Sequence, residues 1–359
     1  WAGDPIEIEG RFKPGHGERS FAEMLKHFEE YNDILGDHPQ NLLSTSLAFN
    51  AFALTHEEKY KRWLLEYVDA WSERATANNG LLPSNVGRDG KIGSDAGGKW
   101  YGGVYGWGFT VTDPVTGKKV HRNSVRLGLT GFGNALLLTG DQKYVDVWRQ
   151  QIDAVNSHAK VIDGRKQYPQ MCGDAGWFDF RTEPWHHGAL EVAYWSMRED
   201  DLARVADNSW IAFLQGRAPT YVESALRADL NRIRQHVAEM RQDTTTPDTR
   251  LSDDPMKFNP CSVESLIHLT LGGLPPGKVG SPLHSRLRYF DPQQGRPGIP
   301  ADVAALVDRL TAGEVSVTLV NTHQTEPRAV IVQAGAYGEH QCEAVTINGQ
   351  MTPVNDRRV

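Results

Sequence analysis

The chain repeats itself. Leu54-Thr55-His56-Glu57-Glu58-Lys59-Tyr60 returns 84 residues later as Leu138-Thr139-Gly140-Asp141-Gln142-Lys143-Tyr144. Each phrase follows an apolar stretch with small residues, Ser44 to Leu54 and Ser124 to Leu138. Each then opens an amphipathic stretch. Tyr60, Trp63, Leu64, Tyr67, Val68 and Trp71 share one stripe of period 3.6, and Tyr144, Val147, Trp148, Ile152 and Val155 share another. Thr55 and Thr139 are expected to cap the second helix, which has an acid in its first turn. Each copy therefore predicts helix, tight turn, helix. A looser third copy runs from Trp185 through Trp195, a polar turn at Arg198 to Asp201, and a helix through Trp210.

Stacked helical hairpins limit the choice of architecture. The links between hairpins decide it: 78–123 and 161–187 are long and rich in glycine and aromatics. Each leaves a second helix and enters a first one, so all should gather on one face, where long loops carry function. The expected fold is mainly α, an (α/α)n toroid over residues 1–312, followed by an antiparallel β-domain over 313–359.

The later segments fill in that plan. Tyr221 to Gln242 predicts a long helix with Val222, Leu226, Leu230, Ile233, Val237 and Met240 on one stripe. Cys261 to Leu271 predicts a helix stopped by Gly272-Gly273. Residues 274–298 read as a loop. Pro300 sits in the first turn of an expected helix bearing Val303, Leu306, Val307 and Leu310. Beyond Gly313 the period falls to two. Val315, Val317 and Leu319 alternate with polar residues, Ala329 to Gln333 and Ala344 to Ile347 read as strands, and Asn348-Gly349 as a hairpin turn. About 45 residues is short beside a sandwich of roughly 100, so the β-domain is expected to be incomplete.

Composition excludes several classes. With 38 basic and 45 acidic residues in 359, a net charge of −7 and no long basic run argue against nucleic-acid binding. No apolar run reaches 18 residues, so no membrane span is expected. The 3 cysteines, Cys172, Cys261 and Cys342, match no metal or redox spacing. HExxH, EF-hand, phosphate-loop and GxSxG signatures are missing, so neither metal nor cofactor is expected. A homo-oligomer is left open.

The candidate chemistry lies in the links. The hairpins open at Asp37-His38-Pro39-Gln40-Asn41, at His121-Arg122-Asn123 and at Trp185-His186-His187. His38 lies 17 residues before Thr55, and His121 lies 18 before Thr139. Equivalent positions should face one axial pocket, although His and Asn also satisfy helix ends. Trp100, Tyr101, Tyr105 and Trp107 alternate with glycines, which suits a flat platform for sugar rings. The link 172–187 holds Asp174, Asp179 and Glu183 beside Trp177, Arg181, His186 and His187. Glycoside hydrolysis needs two carboxyls, one of them kept protonated by apolar surroundings. Those three acids are the catalytic candidates, with Asp37 or Asp113 able to oppose them. Arg286 and Arg288, with Arg122 and Arg181, form a candidate set for a uronate carboxylate.

With the Leu138 to Tyr144 phrase, the loop around Tyr105-Gly106-Trp107 and the strand at Val315 to Asn321, the chain resembles carbohydrate-active α/α-toroid enzymes over roughly residues 37–348. Two groups share that plan. One comprises toroidal glycoside hydrolases of the β-glucuronidase and unsaturated-uronyl hydrolase type, which use Asp or Glu. The other comprises toroid-plus-sandwich polysaccharide lyases, which use Tyr, His, Arg and Asn. The resemblance implies an oligo- or polysaccharide substrate containing uronic acid. Hydrolysis by Asp174, Asp179 and Glu183 is the leading expectation. β-Elimination is the alternative, with His121 or His187 as base and Tyr105 as acid. A non-catalytic glycan-binding protein is the third reading. In each, Asp37, His38, Asn41, Trp100, Tyr101, Trp107, Arg122, Asn123, Trp177, Arg181, His186, Arg286 and Arg288 are expected to hold the sugar.

Overall fold

Two helical hairpins occupy the positions the repeat predicts. α1 (Thr45–Thr55) turns into α2 (Glu58–Ala77), and α3 (Leu129–Thr139) turns into α4 (Lys143–Asn156). The computed structural model describes residues 20, 22, 35–103, 105–112, 118–244, 259, 261–276 and 280–359. The chain divides into two compact units, Trp1–Val192 and Ala193–Val359.

The hairpin turns are built alike. Thr55 donates its hydroxyl to the Ala51 carbonyl at 2.8 Å and accepts from the Glu57 amide at 3.2 Å. Thr139 does the same with Ala135 at 2.7 Å and Asp141 at 3.1 Å. The intervening residue is left-handed in both, His56 at φ 57° and Gly140 at φ 70°. The threonines therefore close the first helix of each pair and are not caps of the second, because the carbonyls freed at a helix end take the hydroxyl. Ser196 and Met197 (φ 52°) repeat the turn, with the Arg198 amide donating to the Ser196 hydroxyl at 3.2 Å.

In the first unit, Leu64, Val68 and Trp71 of α2 and Tyr144, Trp148, Ile152 and Val155 of α4 form the core with Phe132 of α3. Short 3-10 turns at Pro39–Ser44 and Val125–Gly128 lead into α1 and α3. A side chain at Gly131 would stand 2.6 Å from Leu42, so glycine sets how closely α3 approaches the first turn. Buried Asn134 ties the hairpins together, donating to the Thr45 hydroxyl at 2.7 Å and the Ser46 hydroxyl at 3.2 Å.

The mainly α toroid is not what forms. About 39% of the structure is helical and 23% is strand, in several small antiparallel sheets. The link after α2 contains the hairpin β1 (Phe109–Thr112) and β2 (Lys119–Arg122). The link after α4 is a meander of β3 (Lys160–Ile162), β4 (Arg165–Gly173) and β5 (Gly176–Arg181). Asp163 and Gly164, both at positive φ, make its first turn, a signal available in the sequence.

The second unit begins within α5 (Ala189–Ser196) and continues through α6 (Glu199–Arg204), α7 (Ser209–Leu214) and α8 (Tyr221–Gln242). The helix ending at Gly272 closes as a π-helix over Ile267–Leu271. Small sheets follow: β6 (Gly273–Leu274) with β7 (His284–Ser285), β8 (Leu287–Asp291) between β9 (Arg296–Pro297) and β12 (Ile331–Ala334), β10 (Val303–Leu310) with β11 (Val315–Asn321), and β13 (Cys342–Ile347) with β14 (Gln350–Asp356). The helix expected after Pro300 is therefore strand β10. A register shift between Val307 and Arg309 puts Val307 and Leu310 on the buried side together. A bulge of this kind produces the i, i+3 spacing that mimics a helix.

Candidate functional site

The β4–β5 hairpin separates two grooves in the first unit. Successive strand residues point to opposite faces. Trp177 accordingly lines one groove and Phe178 the other.

The first groove, about 410 Å³, is walled by Trp100 and Trp177 and rimmed by Asn78, Asn79, Ser157 and His158. The two indoles stand 6.4 Å apart at 52°. His158 stacks on Trp177 at 4.8 Å. Asn78 and Asn79 follow α2, and Asn79 adopts φ 58° beside Gly80. In the sequence this trio reads only as a helix stop, which is why the rim was missed.

The second groove, about 520 Å³, runs between the glycine loop and the hairpin tip, past Asn85, Lys99, Tyr101, Gly102, Asp174 and Phe178. The Lys99 ammonium and the Asp174 carboxylate pair at 2.7 Å, and Tyr101 lines the groove with them. Lys99 was absent from the residues expected to act. His121 stands edge-on to Phe178 at 5.2 Å and shares a 2.8 Å hydrogen bond with Thr110.

Several candidates serve the fold. Trp107 is fully buried, with its indole N–H on the Leu82 carbonyl at 3.0 Å and its amide on the Ser84 hydroxyl at 2.6 Å. Its ring packs on Trp177 and Trp185 at 5.6 and 5.7 Å, so no face is free for a sugar. Asp37 accepts from the His38 amide, Asn41, Tyr67 and Arg74, which uses its carboxylate fully. His38 stacks on Tyr105 at 4.5 Å, and burial lowers its pKa. Asn123 caps the turn before α3 by accepting from the Val125 amide at 3.0 Å. In the second unit, Arg286 donates to the Tyr194 carbonyl at 2.7 Å and Arg288 to the Ala336 carbonyl at 3.0 Å. Asp113 and the Arg122 side chain lie outside the described residues.

Two of the loop carboxylates, Asp174 and Glu183, are stabilised as anions. Asp174, with its side chain 74% exposed, is held below the usual range by Lys99 and Tyr101. Asp179, at φ 54°, pairs with Arg181 at 2.8 Å. Glu183 is exposed and lowered by the Thr182 hydroxyl at 2.9 Å. Burial raises one carboxyl that sequence patterning did not single out, Glu191 on α5. His187 is pushed down to about 4 by burial, reinforced by the charges of Arg126, His186 and Arg181. His187 meets Trp185 edge-on at 5.3 Å and stacks on His186 at 6.0 Å, while His186 bonds the Pro184 carbonyl at 2.8 Å. Among the described residues no group of three or more His, Cys, Asp or Glu could hold a metal ion. None of their helices is long and apolar enough to cross a membrane.

The chain belongs to the family defined by a domain of unknown function, DUF8034, whose profile matches residues 15–172 and 203–267. The first matched stretch takes in the glycine loop and ends at Cys172, before the hairpin tip. No curated protein and no solved structure matches the chain.

Proposed function

We propose that the protein is carbohydrate-active and takes an acidic oligosaccharide along the β4–β5 hairpin. The observation that carries this reading is the pair Trp100 and Trp177, 6.4 Å apart in a groove rimmed by asparagine amides, a serine and a histidine. Flat apolar rings suit the C–H faces of a pyranose, and the polar rim suits its hydroxyls.

Two cleavage chemistries follow from this reading, and β-elimination, with His187 as its base, is the first. His187 stays neutral at neutral pH, with Arg126 and Arg181 the cations that act on it. A neutral imidazole can accept the proton next to a uronate carboxylate, and cations favour the charge that develops there. Hydrolysis is the second reading. Its acid would be Glu191, because Asp174 and Glu183 are held ionised while burial raises Glu191.

The test is incubation with a panel of uronate-containing oligosaccharides, followed by ultraviolet absorbance and mass. A new chromophore without added water supports elimination, and a gain of water supports hydrolysis. Tryptophan quenching without products supports a glycan-binding protein. No quenching and no products with any panel member would overturn the carbohydrate reading.

A further inference from the structure

The second groove carries a contact that the proposed reading leaves unused. Lys99 and Tyr101 come from the glycine loop, and Asp174 comes from the tip of the β4–β5 hairpin. All three line the same groove, and the Lys99–Asp174 pair bridges its two walls at 2.7 Å. Both partners are well exposed, at 50% and 74%. Water screens such a pair, so separating it costs little.

The groove beside this bridge is lined by backbone. Gly102 and Gly103 both adopt positive φ, and a side chain added at Gly102 would meet nothing within 4 Å. A ligand can therefore lie directly on the main chain there. Phe178 offers an apolar face on the hairpin side. Lys99 is the cation among the described residues that line the groove.

We propose that Lys99 and Asp174 form a displaceable clasp: the carboxylate of an acidic sugar in the second groove takes the Lys99 ammonium from Asp174 and opens the groove onto Gly102. This rests on the reading that the hairpin takes an acidic oligosaccharide. It assigns Lys99 as the group that selects for charge and Asp174 as its internal competitor.

The two residues should then act with opposite sign. The experiment titrates tryptophan fluorescence of the full chain with a glucuronate-containing disaccharide and with its neutral glucose counterpart. Asp174→Asn frees Lys99 and should tighten the acidic ligand roughly two- to five-fold, the range of an exposed ion pair. Lys99→Met should weaken it by a similar factor. Neither change should move the neutral ligand, and added salt should weaken the acidic ligand alone. Equal effects on both ligands, or weaker acidic binding by Asp174→Asn, would overturn the clasp while leaving the carbohydrate reading intact. Failure of both disaccharides to bind would remove both. Both substituted side chains are exposed, and a thermal melt on each variant checks the fold.

Discussion

The Tyr67 hydroxyl lies within hydrogen-bond distance of both carboxylate oxygens of Asp37, at 2.8 and 3.0 Å. Arg74 reaches the same carboxylate at 3.3 Å from about two helical turns further along α2. The pairing fixes the entry to the first hairpin onto the face of its second helix. Asp37 also pairs through its backbone with Val86. Sequence position made it a sugar ligand, but these partners make it a strut.

Asp37→Asn should therefore cost stability first. Hydrogen bonds to a charged group contribute about 1.5–3 kcal/mol when lost, and the site is partly buried. The expected loss is about 1–3 kcal/mol, read as a lower urea midpoint at unchanged slope. Tyr67→Phe should lose somewhat less. Wild-type stability in Asp37→Asn, combined with lost glycan binding, would return Asp37 to the ligand set.

Gly102 and Gly108 have nearly the same φ, 91° and 89°, in very different surroundings. A Cβ at Gly108 would stand 2.3 Å from the Cys172 carbonyl of β4, whereas at Gly102 it meets open groove. Gly102→Ala should cost only the left-handed penalty, about 1–2 kcal/mol. Gly108→Ala adds a backbone clash and should cost more than about 3 kcal/mol. Equilibrium unfolding of the two variants side by side separates conformation from packing. Equal losses would mean that β4 and the glycine loop are not in close contact.

The helical hairpins were legible because their signal is local: the Thr55 and Thr139 phrases each encode a turn through one hydroxyl and one left-handed residue. Asn348-Gly349 was legible for the same reason, with both residues at positive φ. The ring did not follow, because which hairpins and strands pack together depends on contacts distant in sequence. Strand β10 was hidden by its bulge, and the β4–β5 hairpin by an irregular polar–apolar pattern in a segment dense with charge. At the site, residue types were readable and their pairings were not. Asp179 and Arg181 are two apart and pair, but Lys99 meets Asp174 across 75 residues. Trp100, Trp107 and Trp177 looked equivalent, yet burial separates Trp107 from the others.

That separation is testable. Trp177→Ala and Trp100→Ala remove walls of the first groove and should weaken oligosaccharide binding about 10- to 100-fold, the scale of losing a large apolar contact. Trp107→Ala empties a core position and should destabilise by about 3–5 kcal/mol. Trp107→Phe keeps most of that volume and should bind normally once folded. Isothermal titration alongside unfolding distinguishes the outcomes. Undiminished binding by Trp177→Ala would move the sugar away from this groove.

Acid should weaken the second unit in a window set by its histidines. His268 lies in the π-helix, stacked on Trp210 at 4.3 Å and bonded to Tyr221 at 3.2 Å. Burial pushes it down to about 4, against a smaller opposing effect of Asp229. His284, bonded to the Trp195 indole at 3.0 Å, is pushed down to about 3 by burial, with the charge of Arg286 adding to the effect. Both imidazoles are neutral in the fold and titrate near 6.5 once unfolded. Above that value neither costs stability. As pH falls below it, the unfolded chain binds protons that the folded chain does not, so stability drops until about 4 for His268 and about 3 for His284. The urea midpoint should therefore fall between pH 6.5 and 4. His268→Phe keeps the ring stack on Trp210 and removes one titrating group, so its profile should fall less steeply over that window. An unchanged slope in His268→Phe would mean that His268 is protonated in the folded protein as readily as in the unfolded chain.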